Sequence, residues 1–591
     1  MEEKYTWDLT DIFKTNDDFE NEIKNLNEKL EKIKEYQGKL EDSAENIYEC
    51  YNLYEKALEH YRKIYAYGML KFHLDMADTD NIKLFKRCEG LGTEFSKASS
   101  YMTPEITQIP TDILLNYIEE NNKLKRYERE LKEIIEEKEH ILSKQEENLL
   151  ASLSEVFSSS ENTFDILTNT EFHFGKVIKE DGTEEEMTDS NYTVFLKDKN
   201  DNIRKQAFNL MYSKYKEFIN TITELYLARV KEDTTISSIR KYKSSLERAV
   251  KDDEATIKVF ESLIDAIHQE ISVNHKFMKL KQKLLKKDEM HLYDIYVNPI
   301  ETEDDNITFE EAKDEVIATL EVMGEDYLNT IKNAFNNRWI DVYPKKNKRG
   351  GAYMMSVYGV HPYVLDNFVG KKRDISTIIH ELGHAMHTYY SNGAQNVIDS
   401  DYTTLVAEIA STTNEILLSL YQIENEQDNT KKAQIIYELL EMIRATLFRQ
   451  AMFVEFEKEV HNKIANGEVL SSEDLSNMYY ELNKFYFGND CIIDDEIKYE
   501  WARIPHFYSP FYVYTYATGI SAAIIIAKNI WNKKTGYVEK YIEMLKQGCT
   551  KKSVELLKMV DVDLENIDTY KCAIKFYKEM IEMLEELHFK K

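Results

Sequence analysis

A mainly helical fold is expected, and three observations predict it. Glycine and proline are scarce, 18 and 7 among 591 residues, whereas sheet-rich chains use many of both in turns. Apolar residues make up 42%, enough for a sizeable core and too many for wholesale disorder. From residue 17 to about 165 the chain runs as Glu- and Lys-rich stretches whose apolar residues recur at spacings of three and four, as in 122–150.

The texture then changes. Glu171–Ile178 and Tyr192–Leu196 alternate or carry β formers, with the turn dipeptide Asp181-Gly182 between them, so a β-hairpin is expected there. Helical texture resumes over about 203–285, and a second β-like patch runs from Trp339 to Phe368. Helices follow to the end. No fixed repeat period is present. No Gly/Ser- or Pro-rich linker divides the chain. A soft boundary is placed near residue 200, giving an N-terminal helical domain with a small hairpin (1–200) and a second domain (201–591).

Charge narrows the partners. Lys and Arg total 76 against 107 for Asp and Glu, a net charge of −31. That balance argues against nucleic acid and against an anionic membrane surface. It serves solubility and, more sharply read, sets a negative field that favours cationic peptides. The five cysteines are scattered with no C-x-x-C pair, as in a reducing compartment. Met1–Trp7 contains no apolar h-region, and the longest strongly apolar run, near 520–527, is far too short to span a bilayer. A cytoplasmic protein is expected.

The chemistry lies in His380-Glu381-Leu382-Gly383-His384, an H-E-x-x-H. Asp374 can cap a helix beginning at Ile375, and Asn392-Gly393 can end it. Histidines four apart share a helix face, so both can bind one zinc ion. Glu381, beside them, can act as general base, taking a proton from a water whose pKa zinc lowers toward about 7. Two packed histidines on an ordinary helix are the plain alternative. The metzincin continuation fails, because His387 and Tyr390 hold its Gly and His positions. His387 is seven residues from His380, too far along the axis to bind the same ion, and reads as packed or as support for a ligand. A third ligand is expected on the next amphipathic segment, 401–420. Glu408 sits there among Val, Ala and Ile, where an unpaired carboxylate would be costly. Glu415, seven residues on, can orient a ligating histidine.

These residues bring out a resemblance that covers nearly the whole chain. It begins at Trp7–Phe13, continues through Tyr293–Tyr296 and the 341–353 patch, and includes His380–His387 and Glu408–Ser411. It ends on Trp501–Tyr508 and Phe511–Gly519. In these motifs the sequence resembles the thimet-type metallo-oligopeptidases, most closely the oligoendopeptidase F branch. The resemblance implies one zinc ion held by His380, His384 and Glu408, with Glu381 as general base. It implies a large helical ellipsoid with a deep central channel and one small β-sheet near the active site. It further implies internal cleavage of short oligopeptides. Gly350, Gly351, Ala352 and Tyr353 match a sheet edge that pairs with the substrate backbone. His506 and Tyr514 are suitable donors to the oxyanion, and Tyr512 and Tyr516 join the substrate-binding set. Asn347 stands where the family usually has Gly, and Asn tolerates a left-handed turn. Val560 also replaces a common Gly, at a helix end.

The expected function is therefore a zinc metallo-oligoendopeptidase. A related metallocarboxypeptidase or dipeptidyl carboxypeptidase is the rival among hydrolases, and an inactive peptide-binding scaffold is the rival of another class. The natural peptides and subsite preferences are not legible.

Overall fold

Helix caps and apolar stripes build most of the structure. The computed structural model describes residues 2–300 and 306–589. Thr15 and Asp18 form a reciprocal capping box that starts the helix Asn16–Lys34. That helix buries Phe19, Ile23, Leu26, Leu30 and Ile33, the four-three spacing of a single stripe. The stripe packs against Ala44–Leu74 and Thr79–Ser99. The chain is mainly α, with two small sheets among the described residues. None of its described helices is long and apolar enough to cross a membrane.

Two compact units are present, each assembled from three separated stretches. The first comprises Met1–Glu139, Asp304–Leu418 and Ile526–Asp561; the second comprises His140–Glu303, Ser419–Ile525 and Val562–Lys591. The boundary expected near residue 200 falls inside the second unit. Chain texture could not reveal this, because each unit closes with a segment that returns hundreds of residues later.

Three expected elements differ in detail. The stretch 122–150 is not one helix. It divides into Leu124–Tyr127, Glu128–Glu137 and Lys144–Ser152, the last begun by a new capping box from Ser143 to Glu146. The hairpin is real, but its strands are β1 (Lys176–Ile178) and β2 (Glu184–Glu186), closed by a turn with Gly182 at φ 81°. Tyr192–Leu196 lies instead in a helix, because Thr188 and Asn191 form a capping box just before it. The histidine helix runs Lys372–Ala394, so Asp374 is its third residue rather than its cap. From there the Asp374 carboxylate accepts the Val369 and Lys371 amides at 2.9 and 3.0 Å.

The sheet of the first unit has three strands, β3 (Ile340–Asp341), β4 (Tyr353–Met355) and β5 (Tyr363–Leu365), in the order β3-β5-β4. β3 runs parallel to β5 and β4 antiparallel to it. Tyr5–Asp8 covers the outer side of β3 through Val342 N–H to Tyr5 O (3.0 Å) and Asp8 N–H to Arg338 O (3.1 Å). Trp7 packs edge-on against Tyr363. β4 is thus the open edge. Asn347, at φ 63°, takes the left-handed turn that leads toward it. Near Val560 the left-handed residue is the neighbour Asp561, φ 60°, and Val560 is simply buried.

A buried ion pair closes the loop between β3 and β4. Lys348 Nζ lies 2.7 Å from Asp341 Oδ1, both side chains fully buried, and also donates to the carbonyls of Asp341, Tyr343 and Asp366. Lys345 holds the second Asp341 oxygen at 3.0 Å. Breaking such a pair strands a charge in a dry site, which costs about 3–5 kcal/mol. Asp341→Ala is therefore expected to lower stability to denaturant by that amount. A loss below about 1 kcal/mol, the range of exposed pairs, would mean that water already screens this charge.

Candidate metal centre

The site is built where two helices of the first unit meet, the histidine helix and the first part of the helix Thr404–Asn425. Their approach is close at Gly383. A β-carbon there would lie 2.6 Å from Ser411 Cα and 2.7 Å from the Ala410 carbonyl oxygen, which no side chain tolerates. Asn414 holds the same seam: its amide donates to Ile379 O at 3.2 Å and pairs with the Tyr327 hydroxyl.

This seam delivers Glu408 to both histidines. Glu408 Oε2 is 3.5 Å from His380 Nε2 and 3.5 Å from His384 Nε2. The three donor atoms all lie within 4.8 Å of one another, the only such group among the described residues. Two ligands each about 2.1 Å from a tetrahedral zinc ion lie about 3.4 Å apart, so donor types and spacing both fit that metal. Ser411 Oγ donates to the Glu408 carboxylate (Oε2, 3.1 Å) and to the Glu408 carbonyl (2.9 Å). On the far side of His380, Nδ1 meets Glu415 Oε1 at 3.1 Å, leaving Nε2 to face the other donors. Ser376 Oγ also reaches that Glu415 oxygen, at 3.4 Å.

Electrostatics separates the two imidazoles. Burial works against charge on His380, but the hydrogen bond and charge of Glu415 outweigh it and raise the pKa. His384 is pushed down to about 4, first by burial and then by His380. Glu381 is buried, and its carboxyl is pushed up to about 7, by burial first, with nearby carboxylates adding to it. A carboxylate so placed exchanges protons near neutrality. His387 takes no part in the donor group. It is buried flat against Tyr402, with ring centroids 3.6 Å apart, and burial depresses it to about 3.

Gly350, Gly351, Ala352 and Tyr353 form the turn into the open edge strand β4 and its first residue. The Tyr353 hydroxyl is engaged internally, by His73 Nδ1 at 2.7 Å.

The aromatic residues belong to the second unit. His506 and Tyr512 are exposed and their rings parallel, 6.3 Å apart; Tyr516 stands edge-on to both. Tyr514 is separate from them. It is fully buried and its hydroxyl donates to Asp253 Oδ2 at 2.8 Å. Positions 512 and 516 are four apart and share a side, which position 514 cannot join. Gly383, Ser411, Asn414 and Ser376 were missed in the sequence. The signal for Gly383 was a helix-breaking residue retained inside a metal motif, which marks a close approach.

Residues 194–576 match the profile of Peptidase family M3, and 105–174 that of Oligopeptidase F. The chain is 38% identical over 585 residues to Oligopeptidase PepF of Bacillus subtilis, across 99% of this chain and 87% of that one. It is 33% identical over 586 residues to the Oligoendopeptidase F homolog of Lactococcus lactis subsp. lactis, across 99% and 97%. The crystal structure of oligoendopeptidase-F from Enterococcus faecium superposes with a TM-score of 0.73 at 29% identity, covering 98% of this chain and all of that one.

Gly383→Ala and Gly393→Ala make a matched test of the seam. The first should force the two helices apart and weaken zinc binding about 10–100-fold, the scale seen when a ligand loses its support. The second adds a methyl in open space on the same helix and should gain about 0.5–1 kcal/mol. Equal zinc affinities for both variants would show that close approach does not set the site.

Proposed function

The chain belongs to peptidase family M3, and from that premise we propose that it is a zinc-dependent oligoendopeptidase that cuts internal bonds of short peptides. The observation that carries this reading is the pair of 3.5 Å contacts from Glu408 to the two histidines of an H-E-x-x-H helix. His380, His384 and Glu408 would hold one zinc ion, which supplies Lewis acidity and a nucleophile usable at neutral pH. Glu415 keeps His380 turned so that Nε2 serves as a ligand. Glu381, whose carboxyl burial pushes up to about 7, accepts in its carboxylate form the proton from the attacking water and, once protonated, delivers one to the leaving amine. The open edge at β4 offers backbone groups to an extended peptide, a mode that reads length and conformation more than sequence. Its substrates are oligopeptides, and a reducing, cytoplasmic setting suits the scattered thiols.

For the oxyanion donors we keep His506 and place Tyr512 and Tyr516 ahead of Tyr514. The hydroxyl of Tyr514 already serves Asp253 in a buried setting, whereas His506 and Tyr512 are exposed. A donor must be free to strengthen its bond as charge develops.

Two experiments test this. Purified protein should carry about one zinc per chain, a chelator should abolish peptide cleavage, and Glu381→Gln should retain the metal while losing nearly all turnover. Active protein without metal, or an active Glu381→Gln variant, would overturn the reading. Separately, Tyr512→Phe and Tyr516→Phe should each lower kcat by about 10²–10³ with zinc content unchanged. Tyr514→Phe should mainly cost stability, about 1 kcal/mol for a lost buried hydrogen bond. The reverse pattern would return the donor role to Tyr514.

A further inference from the structure

Within the second unit a cavity of about 260 Å³ opens beside Tyr512. A water occupies about 30 Å³ in the liquid, so the space suits a side chain rather than a single ion. Three of its lining residues are carboxylates, Asp233, Asp252 and Asp253, against the single guanidinium of Arg248. Two lining oxygens lack a hydrogen bond. Asp233 is 2% exposed and its Oδ2 has no hydrogen bond; Ser237 is 1% exposed and its Oγ has none. They lie one turn apart on the helix Ile219–Ile239, so both oxygens belong to one face. The other Asp233 oxygen is held by Arg229 at 3.2 Å, which fixes the carboxylate, and His461 Nε2 stays 3.8 Å from Oδ2, beyond hydrogen-bond reach.

Buried acceptors that are fixed but unpaired await a donor, since leaving them so is costly. The acceptors are oxygens, the charge balance is negative, and Tyr512 adds an aromatic wall at which a cation is favoured. Among the described residues three His, Cys, Asp or Glu donor atoms converge only at His380, His384 and Glu408, so the carboxylates of this cavity form no such group. The rim is continuous with the candidate substrate residues: Phe511 and Tyr512 line the cavity, and Asp253 anchors Tyr514 two residues on. We propose that this cavity is a specificity pocket for a cationic side chain, lysine or arginine, of the peptide substrate. The inference rests on the peptidase reading above. It also gives a local purpose to the chain's negative charge, which draws cationic peptides toward it.

The test uses zinc-loaded protein and an N-acetylated neutral peptide in which one lysine is moved along the sequence, each compared with its norleucine counterpart. Binding is measured by calorimetry to the Glu381→Gln variant, and kcat/KM with the wild type. One position is expected at which lysine improves both by about tenfold, the worth of a single charge-assisted contact. Asp233→Asn should cut that lysine-to-norleucine ratio to near one. Asp252→Asn, on an exposed residue where folding is not at risk, should reduce it at least threefold. A peptide with a free N-terminus and no lysine separates the two sources of positive charge; a preference confined to it would assign the cavity to the terminal ammonium and overturn the side-chain proposal. A flat lysine scan, or a ratio unchanged in both aspartate variants, also overturns it. Absence of cleavage by the wild type would count against the peptidase reading, while the calorimetric ratios would still decide the pocket.

Discussion

The metal centre depends on one steric constraint, the contact between the histidine helix and its neighbour at Gly383. Helix axes ordinarily sit about 8–10 Å apart, set by the side chains between them. Removing the side chain at one crossing point lets backbone meet backbone, and here the Ala410–Ser411 peptide occupies the space a β-carbon would need. That displacement lets a carboxylate on the second helix touch two imidazoles on the first. A longer residue at 383 would leave each helix intact and dissolve the site. Glycine costs about 1 kcal/mol in a helix interior, and here the cost is offset by the geometry it permits.

Around that contact the supporting bonds form a hierarchy. Asn414 ties the second helix to the Ile379 carbonyl, just before His380. Glu415, the next residue, takes the outward nitrogen of His380. Glu408, two turns earlier, supplies the inward contact. Glu408 and Glu415, seven residues apart, thus share one helix face, while Asn414, one position before Glu415, points about 100° away into the seam. The buried pair Lys348–Asp341 plays a similar part for the sheet, fixing the loop that leads to the open edge of β4. In both places a buried polar group is satisfied several times over, which makes the arrangement rigid.

How much of this was legible in the sequence depends on the range of the interaction. The H-E-x-x-H pair and Glu415 are readable because a helix converts spacing directly into direction. The burial expected of Glu408 is not found. Its neighbours suggested a carboxylate in need of rescue from burial, yet its side chain is 41% exposed. It reaches the histidines because of Gly383, a residue 25 positions earlier in the chain. The unit boundaries were illegible for the same reason, since each unit is completed by segments remote in sequence. The run 122–150 misled because its apolar spacing continues through a point where a Ser-x-x-Glu box restarts the helix.

In the tyrosine run a local rule separates residues of one type. Phe511–Tyr516 offers three tyrosines at alternate positions, and composition treats them alike. Chain geometry does not. As the backbone enters the helix Tyr514–Trp531, residues four apart come to one side and the residue between them turns inward. Tyr514 is accordingly buried with an aspartate partner, while Tyr512 keeps 36% of its surface and Tyr516 stacks edge-on beside it. Phe511, at φ 60°, sets the turn, and its amide is held at 2.7 Å by the buried carboxylate of Glu457. A non-glycine residue persists in that conformation only when its surroundings overdetermine it. The inward residues thus anchor the segment, and Tyr512 keeps an exposed ring beside Tyr516.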